Sequence, residues 1–236
     1  MGSLQPYETA FASVGWFIPP YAQMGFLSDM AKRISDSSGA YSQASLEADL
    51  ARLHDPYSMA AMVLHRYPRT PGISDYKKII AEAVEAHFAG LDKVAVSGLL
   101  PVVEGAGKKL AGINSISIVK TGSVREILKN LAENFKRETR SKSIGDVDEI
   151  ESMMDSFISF IRDHLFINSN LYTLDDKTNR HGILHGSYSD NDFGMPRNFY
   201  KVISAIDFLA FIGSIHANVS WLAPAPTPDS MRLGCV

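Results

Sequence analysis

Cysteine is nearly absent: the 236-residue chain holds one, Cys235. An internal disulfide is therefore excluded, and a reducing compartment, the cytoplasm, is the expected location. Long apolar runs are also missing. No stretch of about 18 apolar residues occurs, so no membrane association is expected. The opening residues Met1 to Pro6 lack the basic region and apolar run of a secretory signal. Charge of one sign is not in excess either. The formal net charge is −3, which argues against a broad, unspecific coat on nucleic acid and leaves room for a local basic site. Nucleophile elbows and complete phosphate loops are lacking. Gly105-Ala106-Gly107-Lys108-Lys109 resembles a phosphate loop, but Val102 stands where the first glycine belongs and Lys109 where Ser or Thr belongs.

What the chain does have is helical periodicity. Hydrophobic residues make up 45% and charged residues 21%, an ordinary globular balance. Residues 1–25 are rich in aromatics, Gly and Pro and read as an irregular arm that packs on something. From Phe26 onward apolar residues recur at helical spacing. Helices are predicted from Phe26, from Ser45 to before Pro56, and from Tyr57 to Tyr67. The next is capped by Ser74 and runs to Phe88. Another covers Leu91 to Leu110, kinked or divided at Pro101. Ile113 to Val119 reads as a short strand or extended linker. Ser123 caps a helix to about Thr139, and Gly145 or Asp146 opens one to Leu165. Residues 168–178 form a turn-rich segment, and the last long helix starts near Pro196. The fold class is all-α. Residues 1–70 read as an N-terminal helical extension, 71–222 as a helical bundle, and 223–236 as a flexible tail.

The segment richest in chemistry is Asn179-Arg180-His181-Gly182-Ile183-Leu184-His185-Gly186. Arginine offers a permanent charge and a planar fork of donors that fits phosphate. Histidine exchanges protons near neutrality. Together they are a minimal set for breaking a phosphodiester without a metal. The bare spacing carries little weight, because a chain with seven histidines meets it by chance. The context adds weight: Asn179 and His181 flank the arginine, Gly186 closes the string, and a long apolar helix follows. The competing reading is a surface helix start, with Asn179 as cap, Arg180 in solvent and His185 bonded to backbone. His181 and His185, four apart, share a helix face and suit one side of a zinc site. The metalloprotease glutamate is missing, though, and the nearby Asp175, Asp176, Asp190 and Asp192 are common turn residues, so no metal and no cofactor is expected. Glu104, after Val102-Val103, either orients Arg180 or a histidine or is a plain surface carboxylate. The run Lys136-Arg137-Glu138-Thr139-Arg140-Ser141-Lys142 is the best local basic patch and is read first as a solvated helix end. His54, His65, His87, His164 and His216 are read as packing or solvated residues.

Arg180-His181-Gly182-Ile183-Leu184-His185 resembles the signature of HEPN domains, the higher eukaryotes and prokaryotes nucleotide-binding family. Leu99-Leu100-Pro101-Val102-Val103-Glu104-Gly105 and the preceding Glu82 to Gly90, with its Ala-His-Phe-Ala-Gly run, are similar to blocks of one bacterial branch, as is Arg197-Asn198-Phe199-Tyr200-Lys201 after the motif. The resemblance covers roughly residues 74–214. It implies a HEPN-like bundle that forms a homodimer, bringing two Arg–His pairs into one cleft. It further implies a metal-independent endoribonuclease with Arg180 and His185 catalytic, Asn179 and His181 supporting, and RNA as substrate. A role in defence or stress response, with an antitoxin or regulatory partner, is implied in the same way. The alternative is a non-catalytic nucleotide- or RNA-binding module, or a protein-interaction module, whose Arg–His pair is structural.

Overall fold

The computed structural model describes residues 4–37, 39–116, 123–215, 217 and 219–235. Among these the chain is all helical, with no strand, and no helix is long and apolar enough to cross a membrane. The helices are α1 (Gln5–Ser13), α2 (Met24–Asp36), α3 (Gln43–Leu53), α4 (Pro56–Ala61), α5 (Lys77–Phe88), α6 (Asp92–Ile113), α7 (Val124–Lys142), α8 (Val147–Phe160), α9 (Arg180–Leu184), α10 (Pro196–Ser214) and α11 (Pro228–Leu233). Single π-helical turns, Met62–Arg66 and Ile161–Leu165, extend α4 and α8.

Helix α10 is the centre. Every residue from Asn198 to Ser214 is buried, the polar Asn198, Lys201 and Asp207 included, so the helix is enclosed on all sides. It packs on α6 and α3, and α6 is flanked by α5 and α7. Helix α7 pairs with α8, and α1 lies against α2 and α8. The N-terminal residues belong to the same core. Phe17 sits between Phe157, Phe160 and Phe208, with ring centroids 5.3, 4.9 and 5.6 Å away, distances at which edge-on and tilted ring pairs are favourable.

Several elements differ from the sequence reading. The arm read as irregular begins with α1, started by Pro6 in its first turn, and only from Trp16 to Pro19 has no regular structure. Ser74 does not cap α5. It lies in a preceding 3₁₀ turn, and the helix starts at Lys77 with no side-chain cap. Pro101 does not divide α6, which is continuous over 22 residues with Pro101 on its exposed side. The helix also runs to Ile113, so residues 113–116 form no strand, and 117–119 lie outside the described residues. In the segment read as a flexible tail, Thr227 caps α11, which packs on α4. Ser123 and Asp146 cap α7 and α8, accepting from Glu126 and Glu149 N–H at 3.3 and 3.2 Å.

Polar groups inside the core need partners. Asp207 on α10 accepts from the Tyr67 hydroxyl at 2.7 Å. His54 Nδ1 lies 3.9 Å from its other oxygen, but this is no ion pair: burial pushes His54 down to about 3, so the ring is neutral. Burial likewise pushes Asp207 up to about 7. A raised carboxyl pKa means the folded state keeps a proton that the unfolded chain has lost. Stability therefore falls as pH rises from about 4 to about 7 and stays low above it. Asp207→Asn, which keeps an acceptor for Tyr67, is expected to stabilise the protein by about 2–4 kcal/mol at pH 8 and to have little effect at pH 4. Urea unfolding at the two pH values checks this, and equal effects at both would contradict it.

Candidate active site

The residues singled out in the sequence meet at α9, which packs on α6. Asn179 is fully buried and holds the helix start in place. Its Oδ1 accepts from Gly182 N–H at 2.8 Å, and its Nδ2 donates to the carbonyls of His164 and Ile167 at 3.0 and 2.9 Å. The cap thus also ties α9 to the end of the α8 segment. Gly186, with φ of 70°, follows the last turn and takes the left-handed conformation that ends helices.

Arg180 is the first residue of α9, and its side chain is 19% exposed. It is not the solvated surface arginine of the competing reading. Its Nε donates to Glu104 Oε1, carried in by α6. Its Nη1 lies 2.8 Å from His185 Nε2 and 3.3 Å from His181 Nδ1. The two imidazoles are stacked, with centroids 5.5 Å apart and planes 17° from parallel. All five residues named from the sequence thus meet at this helix: Asn179 caps it, Glu104 accepts from Arg180 Nε, and Arg180 Nη1 faces a ring nitrogen of each histidine. Arg180 Nη2 has no hydrogen-bond partner among the described residues.

Beside this group an open cleft of about 310 Å³ is lined by Glu104, Ser123, Val124, Arg125, Phe166, Arg180 and His181. Burial lowers the pKa of His181, and the charges of Arg180, His185 and Arg125 lower it further against the opposing pull of Glu104. The cleft wall from Ser123 to Arg125 and Phe166 was not legible from the motif, because these residues come from other helices and carry no spacing signal.

Two supports were also missed. Tyr188 lies over Gly182, so close that a Cβ added there would come within 2.1 Å of the ring. Gly182→Ala is therefore expected to displace Tyr188 and destabilise the protein by about 1–3 kcal/mol. Thermal unfolding of G182A and of the G182A/Y188A double variant checks the cause: the second change should recover part of the loss, and simple additivity would exclude the ring as its source. The other support is a buried ion pair. Lys201 on α10 and Asp176, three residues before Asn179, are 2.9 Å apart with no side-chain exposure. Lys201 also donates to Gln43 Oε1 and the Val14 carbonyl, and Asp176 accepts from Tyr172 and Thr178. Asn198 donates to the Asp176 carbonyl at 2.6 Å. This network fastens the loop that feeds α9 to the core.

The remaining candidates sit elsewhere. Asp176 is committed to Lys201, Asp192 accepts from Ser189 at the next turn, and among the described residues no three of His, Cys, Asp and Glu converge as metal ligands would. Three of the four cations in the basic run on α7 are matched by carboxylates: Lys136 pairs with Asp155 at 2.6 Å, Arg140 makes a two-point contact with Glu151, and Lys142 meets Glu138, while Arg137 donates to Asn134. Lys109 pairs with Asp75. His87 is a core residue, bonded to Asp92 at 2.5 Å and stacked on Phe199 at 3.9 Å. His65 bonds Thr227 at 2.9 Å, and His216 lies outside the described residues. No protein-family model, curated protein or solved structure matches the chain, so the arrangement of these side chains carries the functional argument.

Proposed function

We propose that this chain is a HEPN-like, metal-independent endoribonuclease whose reaction centre is Arg180 with His185. The observation that carries the reading is the half-buried guanidinium of Arg180, held by Glu104 through Nε and set 2.8 Å from His185 at the edge of an open cleft. RNA brings its own nucleophile, the 2′-hydroxyl. A histidine that removes its proton and a group that protonates the leaving 5′-oxygen perform general acid–base catalysis. An arginine directed at the non-bridging oxygens stabilises the negative charge that develops on them. A cytoplasmic location, a two-fold homodimer and a regulatory or antitoxin partner in defence or stress response are parts of the same proposal.

The competing reading is a non-catalytic nucleotide-binding or protein-interaction bundle. It is favoured by the extent to which Arg180 is already satisfied within the protein. A substrate change separates the two. A labelled RNA with a single 2′-deoxy substitution at each mapped cleavage position should bind as the parent does and resist cleavage there. Cleavage at the deoxy position would remove 2′-hydroxyl attack from the mechanism, and binding without cleavage of either RNA would favour the non-catalytic module.

A further inference from the structure

Cleavage by 2′-hydroxyl attack needs two proton carriers, and a single Arg–His pair supplies one. The usual remedy for a shortage of groups is a second subunit. Here the geometry offers another. Arg180 Nη1 carries two hydrogens, and two ring nitrogens lie within hydrogen-bond reach of it, His181 Nδ1 and His185 Nε2. Both nitrogens must be lone-pair acceptors in that arrangement, and both point at the same atom. The rings stand nearly parallel, and they come from one five-residue helix and its C-cap. We infer that His181 is a second catalytic histidine, so that one protomer holds a complete acid–base pair around Arg180 without a residue from another copy. The inference rests on the ribonuclease reading.

The two histidines differ in setting, and the difference assigns their roles. His181 is half-buried, lines the cleft and meets the Phe166 ring edge-on at 6.4 Å, whereas His185 is exposed. The charged and titratable groups facing His181 are Arg180 and His185 from its own segment, Glu104 from α6 and Arg125 from α7. Three of the four oppose a positive charge on the ring, and burial opposes it as well. His181 is therefore the neutral base. It accepts the 2′-hydroxyl proton as O2′ attacks phosphorus, and the P–O5′ bond breaks. His185 Nε2, released when a phosphate oxygen draws Nη1 away, takes a proton from solvent and delivers it to O5′. The products are a 2′,3′-cyclic phosphate and a 5′-hydroxyl, and solvent returns each ring to its starting state. A phosphate oxygen that takes over the Nη1 hydrogens frees both ring nitrogens for this exchange, while Nη2 has no competing partner among the described residues.

The test pairs His181→Asn with His185→Asn. Asparagine can accept a hydrogen bond from Arg180 but cannot carry a proton. The expected result for H181N is a kcat loss of about 10²–10⁴-fold, with the low-pH limb of the kcat/KM profile gone, and for H185N loss of the high-pH limb. An H181N protein that cleaves at the wild-type rate with both limbs intact overturns the inference. Excess R180A/H185A chain added to a fixed amount of wild type should leave its activity unchanged, and dominant suppression would mean that a second copy completes the site. A readout independent of cleavage is the ring-proton NMR titration of both histidines with inorganic phosphate, which should raise both titration midpoints. Phosphate that moves His185 alone overturns the inference whatever the cleavage assay gives. Wild type that leaves RNA intact while phosphate moves both rings would retire the ribonuclease reading and, with it, the catalytic role of His181.

Discussion

Arg180→Lys is expected to lower kcat for RNA cleavage by about 10²–10³-fold, the usual cost of removing one well-placed donor to a developing anion. Charge alone does not explain the position. Arg180 uses Nε for Glu104 and Nη1 for the two histidines, which leaves Nη2 for a ligand oxygen. A lysine ammonium is a single point on a flexible stem and cannot serve both sides at once. Folding should survive, since the side chain lies at the edge of the protein and Asn179, not Arg180, anchors the helix start. Single-turnover kinetics with thermal unfolding on the same preparation makes the comparison. A variant that loses stability in proportion to activity would place Arg180 among the structural residues, and one that keeps full activity would remove it from the reaction.

Lys201→Met is expected to be the most destabilising single change near the site, costing about 3–5 kcal/mol, because it strands the buried Asp176 carboxylate. The methionine is similar in length and apolar, so the loss arises from the unpaired charge and from the acceptors of Gln43 and Val14 that lose their donor. Burial pushes the Asp176 pKa up. The Lys201 charge and the hydrogen bonds from Thr178, Lys201 and Tyr172 together outweigh this and hold it below the usual carboxylate value. A depressed carboxyl pKa contributes stability above the unfolded value near 4, and that stability is lost as pH falls through the folded value. In K201M this acid-side loss should shrink. The double variant Lys201→Met with Asp176→Asn should recover part of the cost, which urea unfolding as a double-mutant cycle measures directly. Strict additivity would show that the pair is not coupled.

The helices were legible where apolar spacing and a capping residue agreed, as at Ser123 with α7 and Asp146 with α8. Reading failed where one signal was taken alone. Ser74 looks like a cap, but it lies in a 3₁₀ turn and the helix starts at Lys77. Pro101 looks like a break, but on the exposed side of α6 its missing hydrogen bond and ring are tolerated. The aromatic, proline-rich start looked irregular because Pro19 and Pro20 mask the short helix before them. At the site, the short-range part was visible: Asn179, Arg180, His181 and His185 are neighbours in sequence. Glu104 was reached only through its odd position after an apolar run. Phe166 and Arg125 are joined to the motif by folding alone, and Tyr188, just past Gly186, carries no spacing signal. Lys201 did leave a trace, a lone cation inside the apolar run of α10, which is the mark of a buried partner still to be found.

The most direct test of the central claim is cleavage of a labelled structured RNA in EDTA by wild type and by His185→Ala, with product ends identified and fold checked by circular dichroism. The expected result is cleavage by wild type to 2′,3′-cyclic phosphate ends, with at least a hundredfold loss in the folded variant, within the usual range for a general acid–base residue. Equal cleavage by both proteins, or no cleavage by wild type across a panel of RNAs, would contradict the account and leave Arg180 and its two histidines as a structural cluster.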